Sequence, residues 1–274
     1  MKNWNWLVLV LAAGFLANPY PPLYGGDGGN PEILLLANEG FLIQAGNEAV
    51  LIDGFLKKSY YNYDPLPAEL YEKLTQAAAP FDRVRLALAS HVHEDHFQPE
   101  AAIAFLKASP EAFFYSGSEV IEAFQKAAGE NADSLKSRVV SVDPENGNNK
   151  LKIGGIAVEI LKIRHVSPRF YHIQNLVHVI TIGHKTVVHV GDAEPLAEHF
   201  EKLGLENRNI DAVILPNWFF ANDAGKAVID RFFKGAKIFA SHFRAQDFSV
   251  MNGHLERNFP DVICLEKPLD GQLL

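Results

Sequence analysis

The sequence predicts an α/β protein folded as a four-layer α/β/β/α sandwich. Short β-rich apolar runs recur along the chain, and helical stretches alternate with them after residue 67. A strong turn signal near the midpoint, PENGNNK (144–150), is followed by a restart of the same order, strands first and then alternating helix and strand. Two sheets in the middle, each covered on one face by helices, satisfy all three observations. With 274 residues, 48% of them hydrophobic, the chain can bury a sizeable core, which excludes disorder, collagen and coiled coil.

The strand-forming runs open with ILLLA (33–37), FLIQA (41–45) and AVLID (49–53), broken by Asn-Glu-Gly and Gly-Asn-Glu, which predicts a meander. Residues 67–79 read as a helix and VRLALAS (84–90) as a buried strand. Pro99 begins a helix to Ala108, Phe113–Ser116 is a strand, and Ser118–Ala128 is a helix stopped by Gly129. After the midpoint turn come the strands IAVEILKIR (156–164), LVHVITI (176–182), TVVHV (186–190) and DAVILP from Asp211. Helices near 193–203 and 223–234 alternate with them, and AKIFAS (236–241), a further helix and VICLE (262–266) close the chain.

Residues 1–17, MKNWNWLVLVLAAGFLA, form a separate segment. One lysine precedes a short apolar run, the layout of a secretory signal, and the run is short for a membrane span of ~20 residues. The expectation is export to the periplasm or medium, with an N-terminal membrane anchor as the alternative. Residues 18–30, with three Pro and four Gly, read as a linker, leaving residues 31–274 as one domain.

The chain has 11 His and a single cysteine, Cys264, so a bound metal must be held by imidazole and carboxylate. His91-Val92-His93-Glu94-Asp95-His96 follows directly on VRLALAS. In an extended segment His91 and His93 point the same way, as two ligands of one metal must. A turn at Glu94 lets Asp95 and His96 face a second position.

On this motif, and on the order of the residues after it, the chain resembles the metallo-β-lactamase superfamily over roughly residues 31–274. The resemblance implies the four-layer sandwich of that family. It also implies a metal at His91, His93 and His165, a second at Asp95, His96 and His242, and Asp192 bridging them. Asp53 matches an aspartate that braces the site in this family. The true β-lactamases carry Cys or Ser where Asp192 stands; Asp is the pattern of thioesterases, lactonases, phosphodiesterases and related hydrolases. The implied activity is hydrolysis of a small ester, lactone, thioester or phosphoester. Two divalent cations, zinc first and iron or manganese as alternatives, would share a water, lower its pKa and supply hydroxide. Asp95 would orient the nucleophile or pass its proton.

Of the other histidines, His172 is the rival to His165. His178, alternating with apolar neighbours, reads as a satisfied core residue, and His189 as structural or supporting the site. His184 falls in a turn, and His199 and His254 on solvated helix faces. The aromatic clusters at 57–67 and 217–220 are candidate cleft walls. Tyr171, His172, Trp218 and Arg244 are candidate substrate contacts, with loop packing as the bland reading of each. Cys264 reads as a small buried residue. A net charge of −8 and the lack of a basic patch argue against nucleic acid, so the expected partner is a small-molecule substrate. No membrane span is expected once the signal is removed, and the oligomeric state is not encoded legibly. A mononuclear-iron dioxygenase acting on sulfur compounds, or a metal-binding scaffold without turnover, are the competing functions.

Overall fold

The computed structural model describes residues 29–274, so the export signal and all but the last two residues of the linker lie outside the described residues. Six strands come from the first half: Glu32–Ala37 (β1), Gly40–Ala45 (β2), Glu48–Ile52 (β3), Val84–Leu88 (β4), Phe113–Ser116 (β5) and Val139–Ser141 (β6). The second half supplies Lys150–Ile153 (β7), Ile156–Ile163 (β8), Asn175–Ile182 (β9), Lys185–His189 (β10), Ala212–Pro216 (β11), Lys237–Ser241 (β12) and Val262–Cys264 (β13). The final strand, Gly271–Leu273 (β14), crosses back to the first sheet. The two sheets run β14-β1-β2-β3-β4-β5-β6 and β13-β12-β11-β10-β9-β8-β7. In each, an antiparallel portion gives way to parallel pairing, from β3 to β6 and from β10 to β13.

Apolar residues on both faces explain why the strands read as unbroken hydrophobic runs. Ile33, Phe41, Ile43, Val50, Ile52, Leu86 and Leu88 pack between the sheets against Ile160, Leu176, Ile180, Ile214 and Phe239. Their neighbours Leu34, Leu36, Leu42, Leu51 and Ala87 face the outer helices. Those helices are Ala68–Thr75 (α1), Pro99–Ala108 (α2) and Ser118–Ala128 (α3), followed by one turn at Ala132–Leu135 (α4). Phe55, Phe97, Phe105 and Phe114 form the aromatic centre of that layer, with ring centroids 5.5–6.5 Å apart. Ala197–Glu201 (α5), Asp223–Phe232 (α6) and Ala245–Asn258 (α7) cover the second sheet around Phe200, Phe219, Phe232 and Phe233. The molecule is thus the α/β/β/α sandwich that the sequence predicts.

The differences are local. β6, β7 and β14 are three or four residues long, lie at or next to sheet edges and carry no apolar run, so periodicity misses them. The helix expected over 67–79 stops at Thr75, and Ala77 takes left-handed backbone. The helix expected near 193–203 shrinks to α5, because Ala193 and Glu194 pair with the chain at Arg164 and His165 instead. Among the described residues no helix is long and apolar enough to cross a membrane.

Candidate metal centre

Five loops at strand ends meet at one edge of the two sheets, where the carboxyl ends of parallel strands commonly carry ligand sites. Asp53 follows β3, His91–His96 follow β4, His165 follows β8, Asp192 follows β10 and His242 follows β12. The segment after β4 is a loop, not the extended stretch expected, and turns through hydrogen bonds from His96 N and Phe97 N to His93 O. Its donors still converge.

All seven predicted donors come together, in two groups. In the first, His91 Nε2 lies 2.9 Å from His93 Nδ1, and Asp192 Oδ2 lies 3.3 Å from His165 Nε2 and 3.9 Å from His91 Nε2. In the second, Asp192 Oδ1 lies 3.2 Å from His96 Nε2 and 3.3 Å from His242 Nε2, which are 3.2 Å apart. Asp95 Oδ2 completes it, 3.5 Å from His242 Nε2 and 3.9 Å from His96 Nε2. Four donors about 2.0–2.2 Å from a common tetrahedral centre lie about 3.3–3.6 Å from one another, so these edges fit a divalent ion. Asp192 Oδ1 is a buried acceptor with no hydrogen-bond partner among the described residues, a costly arrangement that a cation would relieve.

Supporting contacts fix most of the rings. Asp53, fully buried, accepts hydrogen bonds from Ser90 N (2.7 Å), Ser90 Oγ (2.5 Å) and His96 Nδ1 (2.9 Å). With Nδ1–H so engaged, His96 presents Nε2 as its donor atom. Ser90 Oγ also lies 3.0 Å from His91 Nδ1 and orients that ring in the same sense. His165 differs, because its outer nitrogen accepts from Ser167 N at 3.2 Å. Asn175 Oδ1 accepts from Asp192 N at 3.1 Å, which holds the bridging carboxylate's backbone. Two site residues occupy left-handed backbone, Asp53 at φ 47° and His242 at φ 61°. Such conformations are costly outside glycine and persist at sites their surroundings over-determine.

The charges sort by group. Burial, and then the neighbouring His96, push His91 well below the usual imidazole range, and burial takes His93 down to about 4. These rings are therefore neutral, as ligands must be. Burial opposes charge on His96 too, but Asp192 and Asp95 outweigh it and raise its pKa. For Asp192, burial is overcome by His242 and His96, which hold the carboxyl well below its usual range.

The residues weighed as substrate contacts fare unevenly. Trp218 packs on the His242 ring at 4.9 Å and donates its indole N–H to Ala193 O at 3.0 Å. Tyr171 points its hydroxyl at Glu194 Oε1 (2.8 Å) beneath the Arg164 guanidinium, and His172 is exposed, so His165 alone joins the donors. Arg244 is engaged with Asp247 at 2.6 Å. Other expectations need correction. His178 is a core residue, but neither ring nitrogen has a partner among the described residues. His199 is buried beside Glu194 and so lies off any solvated face, while His254 is half-buried, with Nε2 3.2 Å from Phe220 O. Cys264 is half-buried.

Tyr63, within the expected cleft wall at 57–67, meets the His242 ring at 4.4 Å, whereas sequence reasoning passed over Phe170, which packs on His93 at 4.5 Å. It also passed over Glu39, which is fully buried with donor atoms of His96 and Asp192 within 4.8 Å. Glu39 was missed because a glutamate between two strands reads as turn punctuation.

A sequence model of the beta-lactamase superfamily domain matches residues 50–243, and the chain belongs to this superfamily. Among solved structures, a possible metal-dependent hydrolase from Veillonella parvula is 16% identical, with a TM-score of 0.62 over 90% of this chain and 100% of that one. The metallo-beta-lactamase fold protein YhfI from Bacillus subtilis is 19% identical, with a TM-score of 0.59 over 89% and 99%. An isothiocyanate hydrolase from Delia radicum gut bacteria is 17% identical, with a TM-score of 0.56 over 89% and 98%. At these identities the likeness is one of fold. No curated protein matches the sequence.

Proposed function

We propose that this protein is a metal-dependent hydrolase with a dinuclear centre, and we assign zinc to it. The observation that carries the reading is Asp192, whose two oxygens face two different donor groups, Oδ2 the His91–His93–His165 set and Oδ1 the Asp95–His96–His242 set. A mononuclear iron centre would need only one of these groups. When bound, such cations supply Lewis acidity and a water acidified towards neutral pH.

The chain's own residues do the rest. Asp53 and Ser90 lock the rings of His96 and His91. Tyr63, Trp218 and Phe170 lay aromatic edges against His242 and His93 and restrict water there. Asp95 turns Oδ2 to the second group, whereas Asp192 has both oxygens committed. Asp95 is therefore the carboxylate placed to take a proton from attacking water. The substrate class is a small ester, lactone, thioester or phosphoester, and the superfamily match is what supports it.

The test is elemental analysis of purified protein together with a panel of ester, lactone, thioester, phosphodiester and β-lactam substrates. Two zinc per chain and turnover of a non-lactam substrate are expected. One iron per chain would overturn the assignment. Asp192→Ala should lose the second metal and most hydrolysis, and unchanged stoichiometry in that variant would remove the bridging role. Export remains part of the proposal for residues 1–17. Intact Met1 on the protein from its own host, found by mass spectrometry, would contradict cleavage.

A further inference from the structure

We propose that the buried turn Asn38–Glu39, between β1 and β2, is the positioning element of the second metal position, acting through the residues that flank its ligands. The inference rests on the dinuclear reading above. Three connections run from this turn to three separate ligand loops. Asn38 Nδ2 donates to the backbone carbonyl of Asp95 at 3.0 Å. Glu39 Oε1 accepts from Ser241 Oγ at 2.6 Å, one residue before His242. The backbone carbonyl of Glu39 accepts from His189 Nε2 at 3.2 Å, and His189 Nδ1 in turn accepts from Gly191 N at 3.2 Å, one residue before Asp192.

The turn is built for this place. Asn38 takes left-handed backbone at φ 45°, which asparagine tolerates better than most residues. A Cβ at Gly40 would stand 2.8 Å from the carbonyl oxygen of Asp53, so only glycine lets the hairpin approach the site so closely. Glu39 is fully buried, and its Oε2 has no hydrogen bond although His189 Nε2 lies 3.3 Å away. A carboxylate is costly to bury without a purpose, and this one has a donor atom within 4.8 Å of His96 and Asp192. Among the described residues, no hydrogen bond links the turn to His91, His93 or His165.

The experiment is stepwise zinc binding by chelator competition on the purified full chain, with the cobalt-substituted absorption spectrum as a second readout. Wild type should bind two metals; if it binds one, the dinuclear reading fails before this inference is reached. Glu39→Ala, Ser241→Ala and Asn38→Gly should each weaken the second binding step about 10–100-fold, the range for removing a supporting hydrogen bond. The first step should change far less, because no hydrogen bond among the described residues links the turn to His91, His93 or His165. Glu39→Gln keeps an oxygen that accepts from Ser241 and should recover most of the loss. Cobalt bound at the second position should show altered bands in Glu39→Ala alone of these two variants. If Glu39→Ala does not fold, Ser241→Ala and Asn38→Gly decide. Equal weakening of both steps, no weakening in folded variants, or no recovery in Glu39→Gln would each overturn the inference.

Discussion

Asp53 joins backbone strain, burial and ligand orientation in one residue. Burial works against its charge, yet the hydrogen bonds from His96 and Ser90 hold its carboxyl below the usual range. Asp53→Asn keeps a side chain at ease in left-handed backbone but cannot accept at both oxygens. It should lower metal affinity about 10–100-fold, measured by chelator competition. His178 makes a different prediction. Burial takes its pKa down to about 3, against 6.5 for a free imidazole. Above pH 6.5 the ring is neutral folded and unfolded. Between about 6.5 and 3 only the unfolded chain takes the proton, so stability is lost as pH falls, by up to ~1.4 kcal/mol per pH unit. His178→Leu should flatten that slope by about one proton in urea titrations of metal-free protein, and an unchanged slope would refute the assignment. The seven candidate donors were legible in sequence because four lie in the motif His91–His96 and the other three closely follow apolar strands, in the order that the family resemblance implies. Glu39 and Asn175 were not, because their relation to the donor cluster exists only across space.

At the level of elements, the loop Val190-Gly191-Asp192 depends on its glycine. Gly191 has φ 54°, and a Cβ there would lie 2.5 Å from Asn175 Oδ1 and 2.7 Å from Ser90 Cβ. Gly191→Ala should therefore cost about 1–3 kcal/mol in denaturant titrations. It should also weaken metal binding, since Asn175 positions Asp192 and Ser90 positions His91. At the other end of the chain, β14 pairs with β1, and Leu274 N donates to Pro31 O at 2.9 Å. Removing residues 270–274 leaves β1, with Ile33 and Leu36 fully buried, as an uncovered edge. Lower stability and concentration-dependent aggregation by light scattering are expected. Helices α2 and α3 match the expected bounds because proline and glycine punctuate them. The short edge strands carry no such signal, and only the register of their neighbours defines them.

The whole molecule gathers carboxylates and imidazoles on one edge of an otherwise apolar sandwich, in a chain of net charge −8. Metal that binds the folded state alone stabilises it by about 2.7 kcal/mol per site at 100-fold excess over Kd. The melting temperature should thus climb with free zinc and fall on chelation, and a melting temperature indifferent to zinc would contradict the proposed centre. Fold class was readable at this scale since both faces of nearly every central strand are apolar. That the last strand returns to the first was not readable, for three residues reading Gly-Gln-Leu announce nothing. This return has a consequence for biosynthesis. The amino-terminal sheet is assembled from residues 32–141 but receives its outer strand only from residues 271–273. A nascent chain therefore carries an open sheet edge until the far end has left the ribosome. The interval in which a chaperone has most to protect is the whole time needed to synthesise the second sheet.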